Sequence, residues 1–278
     1  MISERTAGRS AQPQVIAWDI VRGPVARVAS LFAGLGAVVL AWAMVAAYLA
    51  PDLPGPLPTF HVFRVLVSDP FYDAGPNDKG IGLQLIASLK RVLIGFSVGT
   101  LIAVPVGVLI GASPAIRRML DPVIQILRPV SPLAWFPIGL VIFQSAPSAT
   151  VFIICITSLW PTVINTAFGV SSIPQAHKNV ARVFTFSRSR YLTQIVLPYS
   201  LPHILTGMRL SMGIAWMVIV AGEMLSGGTG IGFFVWDSWN ALSLERVISA
   251  IILIGLVGLV MDRGFAYVTE RFSYKEAA

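Results

Sequence analysis

Apolar positions in this chain come in long uncharged runs rather than in alternation with polar ones. Val28 to Leu49 carries no charge, and neither does Val92 to Gly111. Between Pro129 and His177 there is no Asp, Glu, Lys or Arg, which is room for two spans with "QSAPS" (Gln144 to Ser148) as the turn between them. Leu210 to Leu225 follows, interrupted by Glu223, and Val247 to Val268 is last, with Asp262 and Arg263 near its end. A bilayer core about 30 Å thick takes roughly 20 apolar residues as helix, because an unpaired backbone group in lipid costs several kcal/mol. The pattern predicts an all-α integral membrane protein with six transmembrane helices.

Composition agrees. Of 278 residues, 55% are hydrophobic and only 12% charged, and mean hydropathy is +0.77. A soluble domain carries roughly 25% charged residues. The net charge of +7 would suggest nucleic acid in a soluble protein, but here its distribution matters more and no nucleic-acid partner is expected. With the N-terminus inside, fifteen of the twenty basic residues fall in cytoplasmic segments. These are Arg5, Arg9, Arg22 and Arg27; Arg117, Arg118 and Arg128; Lys178, Arg182, Arg188, Arg190 and Arg209; and Arg263, Arg271 and Lys275. Positive charge inside sets both termini in the cytoplasm. The expected order is a cytoplasmic segment 1–27, a first span 28–49, an extracytoplasmic Pro-rich and acidic loop 50–82, a core 83–272 and a short tail 273–278. A short interfacial helix is expected at Phe60 to Val67. The first run is longer than a secretory signal core, and its lead of 27 residues is long too, so it is read as a retained span.

One segment breaks the apolar pattern. From Ile173 to Phe184, Ile173, Ala176, Val180, Val183 and Phe184 recur at spacings of 3, 4, 3 and 4, one face of a helix. Gln175, Lys178, Asn179 and Arg182 take the other side, and Pro174 suits a first helical turn. A basic amphipathic helix can lie on anionic lipid, connect two spans in solvent, or dock its exposed face into a groove on a soluble partner.

The stretch from Ile173 to Leu225 resembles the cytoplasmic EAA loop of binding-protein-dependent ABC importer permeases. That loop runs Glu-Ala-Ala, then Gly after three further residues, and closes with Ile-x-Leu-Pro. Here Asn179-Val180-Ala181 stands at the first position, Thr185 where Gly is usual, and Ile195 to Pro198 ("IVLP") closes it, followed by Pro202, Gly207 and Arg209. "RPVSPLAWFPIGLVIF", "SLWPTVINTA" and "GTGIGFFVWDSWN" are similar to the permeases of the nitrate, taurine/sulfonate and bicarbonate branch, and "NVARVF" and "SLWPTVINTA" look most like nitrate. The resemblance covers about two thirds of the chain, Gly82 to Phe272. It implies a type I importer fold with a coupling helix at about 173–186. Its contact residues would be Gln175, Lys178, Asn179, Val180, Ala181, Arg182, Phe184, Thr185 and Arg188. It also implies a second copy of the chain, two ABC ATPase subunits that bind ATP and Mg, and an extracytoplasmic substrate-binding protein. The site would be a bacterial inner membrane, among its lipids.

Nothing in the sequence points to catalysis. There is no G-x-x-x-x-G-K-[ST] phosphate loop, and "GGTGIG" (Gly227 to Gly232) reads as a turn into a re-entrant segment. Cys155 is a packing residue, and no Cys/His/carboxylate cluster has metal-ligand spacing. A membrane enzyme would need convergent catalytic groups. A self-contained carrier would want internal repeats and a helix broken at mid-membrane, and no clear repeat is present. Candidate pathway residues are those too polar for lipid: Ser158, Asn165 and Thr166 on the fourth helix, Arg209 and Glu223 on the fifth, and Trp216 as a possible constriction. Glu223 suits pairing or capping near an outer gate better than binding an anion. Nitrate or nitrite is favoured over taurine, alkanesulfonates, bicarbonate or cyanate.

Overall fold

The computed structural model describes residues 18–75 and 78–272, with the side chains of 18–25, 27 and 28 left aside. The expected cytoplasmic segment up to residue 17 and the tail 273–278 lie outside the described residues. Compactness divides the chain between Pro58 and Thr59.

The first unit carries α1 (Trp18–Met44), continued by a π turn, Val45–Leu49. Its apolar part, Ala29–Leu49, is long enough to cross a membrane. No residue of that stretch is buried, as its uniformly apolar surface suits lipid rather than a core. The Trp42 indole donates to the Pro54 carbonyl at 3.0 Å, tying the end of the span to the following loop.

The second unit begins within α2 (Pro56–Ser68), the short helix expected at Phe60 to Val67. Asp73 and Lys79 then pair across a single antiparallel bridge and through an ion pair of 2.6 Å. Helix α3 (Ile81–Ala112) starts eleven residues before the predicted span, so Lys90 and Arg91 are helical rather than loop residues. It packs along α6 (Ala146–Ser171) in the same direction. Gly95, Gly99, Gly107 and Gly111 make that possible, since a Cβ on any of them would strike the α6 backbone or side chains. Small residues at four-residue spacing are how membrane helices approach closely, because lipid gives them no hydrophobic drive to associate.

Between these helices lies the main departure from expectation. Residues 129–143 do not form a straight span. Amphipathic α4 (Pro114–Leu127) is followed by a 3₁₀ turn, Pro132–Trp135, and by α5 (Phe136–Phe143), and the two arms meet at 96°. Eight residues of α5 rise only about 12 Å. The break falls at Pro129 and Pro132, which have no N–H to donate, and Pro132 holds its predecessor Ser131 out of helical geometry at φ −56° and ψ +130°. Five described helices are long and apolar enough to cross a membrane, and the bent pair makes up to six.

Downstream of α6 come α7 (Gln175–Val183) and α8 (Arg188–Tyr191), then a π turn, Leu192–Val196, leading into α9 (Leu197–Ser226). Arg188 to Ser226 is one continuous helical run of 39 residues, about 58 Å long at 1.5 Å per residue. A four-residue turn leads to α10 (Ile231–Asn240), and α11 (Leu244–Phe272) closes the unit. The core lies between α3, α6, α9 and α11, centred on Phe96, Ile154, Met212, Trp216 and Ile219.

Candidate functional site

Two places concentrate polar chemistry, at opposite ends of α9. The first is α7. The expected apolar face is present, but most of it points outward: Val180 is 48% exposed, Val183 79% and Phe184 66%. Only Ala181 and the preceding Ile173 are buried, and Ile173 packs with Val170 and Val196 beneath the helix. Gln175, Asn179 and Arg182 are exposed on the polar side, where the Gln175 amide donates to Asn179 Oδ1 at 3.3 Å, while Lys178 is half-buried.

The end of α7 explains the residue that departs from the loop pattern. Thr185 sits at φ +46°, the left-handed region where Gly is at ease. The Phe186 N–H reaches back to the Ala181 carbonyl at 2.9 Å, and the Thr185 N–H to Arg182 at 3.1 Å. That pair of bonds is a Schellman cap, so the usual Gly of the pattern falls on a position that needs positive φ. Ser187 then caps α8 by accepting from the Arg190 N–H at 3.3 Å. The Arg190 guanidinium lies 4.4 Å above the Phe186 ring and donates to Gln194 at 2.9 Å. Arg188 is exposed in the first turn of α8. The His177 and Tyr199 rings meet at 5.9 Å, and the Tyr199 hydroxyl donates to the Ser172 carbonyl at 3.3 Å, joining α7 to α9. The helix is fastened to the spans on one side and bare on the other.

The second place surrounds Glu223, which is completely buried. Its carboxylate accepts from Ser88 Oγ at 2.7 Å, Arg91 Nη1 at 2.6 Å and the Gly232 N–H at 3.0 Å. Arg91 Nη1 also donates to the Thr229 carbonyl at 2.6 Å. The Gly230 N–H reaches Gln84 Oε1 at 2.5 Å and the Ile231 N–H reaches Ser88 Oγ at 2.8 Å. The first orphan donors of α10 are therefore met by side chains from α3 and α9, with a carboxylate where the helix dipole favours one. A Cβ at Gly230, φ +157°, would run into that carboxylate. "GGTGIG" is a pinned turn, and Glu223 sits inside it as a structural anchor.

Most other pathway candidates face neighbouring helices. The Ser158 hydroxyl bonds to the Ile154 carbonyl at 2.7 Å, and Ser211 donates to the Ser158 carbonyl at 2.6 Å. Asn165 donates to the Pro161 carbonyl at 2.8 Å beside Gly207. The spacing of seven between Ser158 and Asn165 puts them on one side of α6, but that side is covered: Ser158 lies against Gly99 of α3 and Asn165 against Gly207 of α9. Thr166 is buried against Gly107 with its hydroxyl unpaired. Trp216 is buried and donates to the Ile254 carbonyl at 2.9 Å, so it is packed between α9 and α11. Arg209 forms a two-pronged ion pair with Asp262 at 2.6 and 2.7 Å. Sequence reasoning missed Gln84, Ser88 and Arg91. Their signal was a polar stripe at spacings of four and three on an otherwise apolar helix. Among the described residues no group of His, Cys, Asp and Glu could hold a metal ion.

The described helices define a polytopic membrane protein with an amphipathic helix exposed on the loop between two of its spans. The chain belongs to the family of binding-protein-dependent transport system inner membrane components, whose pattern it matches over residues 103–274. It is 42% identical to the nitrate import permease protein NrtB of Synechocystis sp., over 84% of this chain and 85% of that one. It is 46% identical to the bicarbonate transport system permease protein CmpB of Synechococcus elongatus, over 85% and 86%. The taurine transport system permease protein TauC of Escherichia coli is more distant, at 30% identity over 91% and 92%. The fold is that of the inward-facing MetNI methionine ABC transporter, with a TM-score of 0.59 at 15% identity, covering 67% of this chain and 93% of that one.

Proposed function

We propose that this chain is the transmembrane permease of an ATP-driven importer for a small oxyanion, with nitrate as its substrate. It catalyses no reaction itself. Two copies would enclose a pathway on their two-fold axis, with an extracytoplasmic binding protein above and two ATPase subunits, which bind ATP and Mg, below. Both termini would be cytoplasmic, as the loop charges favour, in a bacterial inner membrane.

The observation that carries this reading is α7. Its outward stripe of Val180, Val183 and Phe184 suits a groove on a soluble partner, since an amphipathic helix docks by its apolar anchors. Arg182 and Arg188 flank that stripe and would set register. The continuous helical run from Arg188 to Ser226 gives the motion a lever: closing of the ATPase pair would draw the two α7 helices together and swing α9. The substrate class rests on the nitrate and bicarbonate relatives, whose named substrates are both small, singly charged, planar oxyanions. The wording of "NVARVF" and "SLWPTVINTA" favours nitrate. Bicarbonate is the second reading, on the 46% identity to a bicarbonate permease.

The test is reconstitution in vesicles with its partner ATPases and binding protein. Nitrate uptake that needs ATP, and that survives excess bicarbonate and taurine, is the expected result. ATP-independent uptake, or preference for taurine, would overturn the reading.

A further inference from the structure

We infer that Arg128, exposed at the break between α4 and α5, is an anion subsite of the permease; the inference rests on the oxyanion reading above. Arg128 had counted only as a loop charge. The structure places it beside the middle of a span. It lines a cavity of about 260 Å³ together with Ser131, Thr157, Trp160, Pro161 and Ile214. Trp160 stands fourteen residues into a 26-residue helix, roughly 21 Å from its start at 1.5 Å per residue. A charged side chain at such depth costs about 3 kcal/mol or more unless it faces water or a partner.

Arg128 has no carboxylate within ion-pair distance among the described residues, whereas Arg117 and Arg209 each have one. Arg117 pairs with Asp121 at 3.6 Å and Arg209 with Asp262 at 2.6 Å. No acidic side chain lines the 260 Å³ cavity. Arg128 also lines a second cavity of about 620 Å³, bounded by Arg117, Asp121 and Gln125, which follows α4 to the end of the bundle that carries α7. It therefore stands where the two spaces meet. Thr157 spends its proton on the Ile153 carbonyl at 2.6 Å. The Ser131 hydroxyl and the Trp160 indole N–H have no partner among the described residues and remain available as donors. The smaller space holds roughly eight water volumes at about 30 Å³ each, enough for a small oxyanion and part of its shell. A guanidinium is a planar fork of donors that matches two oxygens of a planar anion. Nitrate and bicarbonate both present such a pair.

The experiment uses the assembled transporter in vesicles. Arg128→Gln is expected to lower uptake at least about tenfold while ATP hydrolysis stimulated by the binding protein stays within about twofold. Arg128→Lys keeps the charge but loses the fork and should fall between. Iodide quenching of tryptophan fluorescence supplies a readout independent of what is transported. In the wild type, the quenching lost on Trp160→Phe should exceed that seen with neutral acrylamide, and Arg128→Gln should erase the excess. If the wild type takes up neither nitrate nor bicarbonate, the functional reading fails, and the iodide arm still decides the subsite. Uptake unchanged in Arg128→Gln, or iodide quenching equal to acrylamide in the wild type, overturns the inference. Should Arg128→Gln fail to assemble, Arg128→Lys decides: reduced uptake supports the subsite and wild-type uptake overturns it.

Discussion

The α7 segment and the glycine turn at residues 227–230 are both short polar interruptions in apolar sequence, at opposite ends of α9, yet they are built in opposite ways. The turn is finished within the chain. Glu223 is wholly buried, and its donors come from Ser88, Arg91 and Gly232. The helix is unfinished, with Val180, Val183 and Phe184 bare and only Ala181 buried along its length. A polar cluster that satisfies itself fixes geometry. An amphipathic helix that leaves its apolar anchors in solvent keeps free energy in reserve for association. At one end the chain holds α3, α9 and α10 in register, and at the other it leaves the apolar face of α7 uncovered, where the proposed function places a partner.

The largest expected effect would come from breaking the finished end. Glu223→Ala leaves the Arg91 guanidinium without its carboxylate in a largely buried place and strips the Gly232 N–H of its acceptor. Removing one member of a buried pair costs about 3–5 kcal/mol, so thermal unfolding in detergent should move down by many degrees. Glu223→Gln keeps acceptors for Ser88 and Gly232 and should lose less. If Glu223→Ala unfolds like the wild type, the turn is not an anchor and the contrast with α7 collapses.

Changes at the unfinished end should do the reverse. Phe184→Ala or Val180→Asp removes a bare anchor, so the isolated permease should unfold as the wild type does. Recovery of ATPase subunits with it should drop at least about tenfold, as an interface hot spot worth about 2 kcal/mol would predict. A stability loss without a change in ATPase recovery would mean that α7 serves the fold rather than a partner. Next in size is Thr185→Gly, which relieves a β-branched residue of a left-handed backbone. The gain should be about 1 kcal/mol, seen as roughly fivefold slower hydrogen exchange at the Phe186 amide. Unchanged exchange would show that the Schellman cap carries no strain.

The same contrast explains what the sequence could reveal. Uncharged runs marked the spans, because length and lack of charge are properties of the run itself. The α7 face was legible for a similar reason: its 3–4 spacing is local. Which side of that face would be bare was not legible, since it depends on Ile173, Val170 and Val196 filling the space beneath. The turn's anchor was hidden more deeply. Glu223 finds Ser88 and Arg91 across 135 and 132 residues, and no pattern in "GGTGIG" names them. The bend at 129–131 was written in Pro129 and Pro132, but an apolar count over residues 129–177 ignores direction. The same count reduced Arg128 to loop charge.

The smallest effect belongs to a third polar interruption, which lies between the two extremes. Asp73, an exposed residue, accepts from Lys79 Nζ at 2.6 Å and from the Gly75 N–H at 3.2 Å. The Lys79 hydrogen bond, helped by the Gly75 amide, holds the Asp73 carboxyl below its ordinary value of 3.8. A lowered carboxyl pKa adds support that is complete above the ordinary value and fades as pH falls through the lowered one. Protection of the Gly80 amide, which bonds the Tyr72 carbonyl at 2.8 Å, should therefore weaken only below that ordinary value. The loss should be slight, because an exposed pair contributes little. Hydrogen exchange at Gly80, corrected for its intrinsic rate, would follow it, and Asp73→Asn should make the protection flat with pH. A variant that kept the acid dependence would assign it to Asp69 or Asp78 instead, and the 72–80 turn would then join the self-completed class that Glu223 represents.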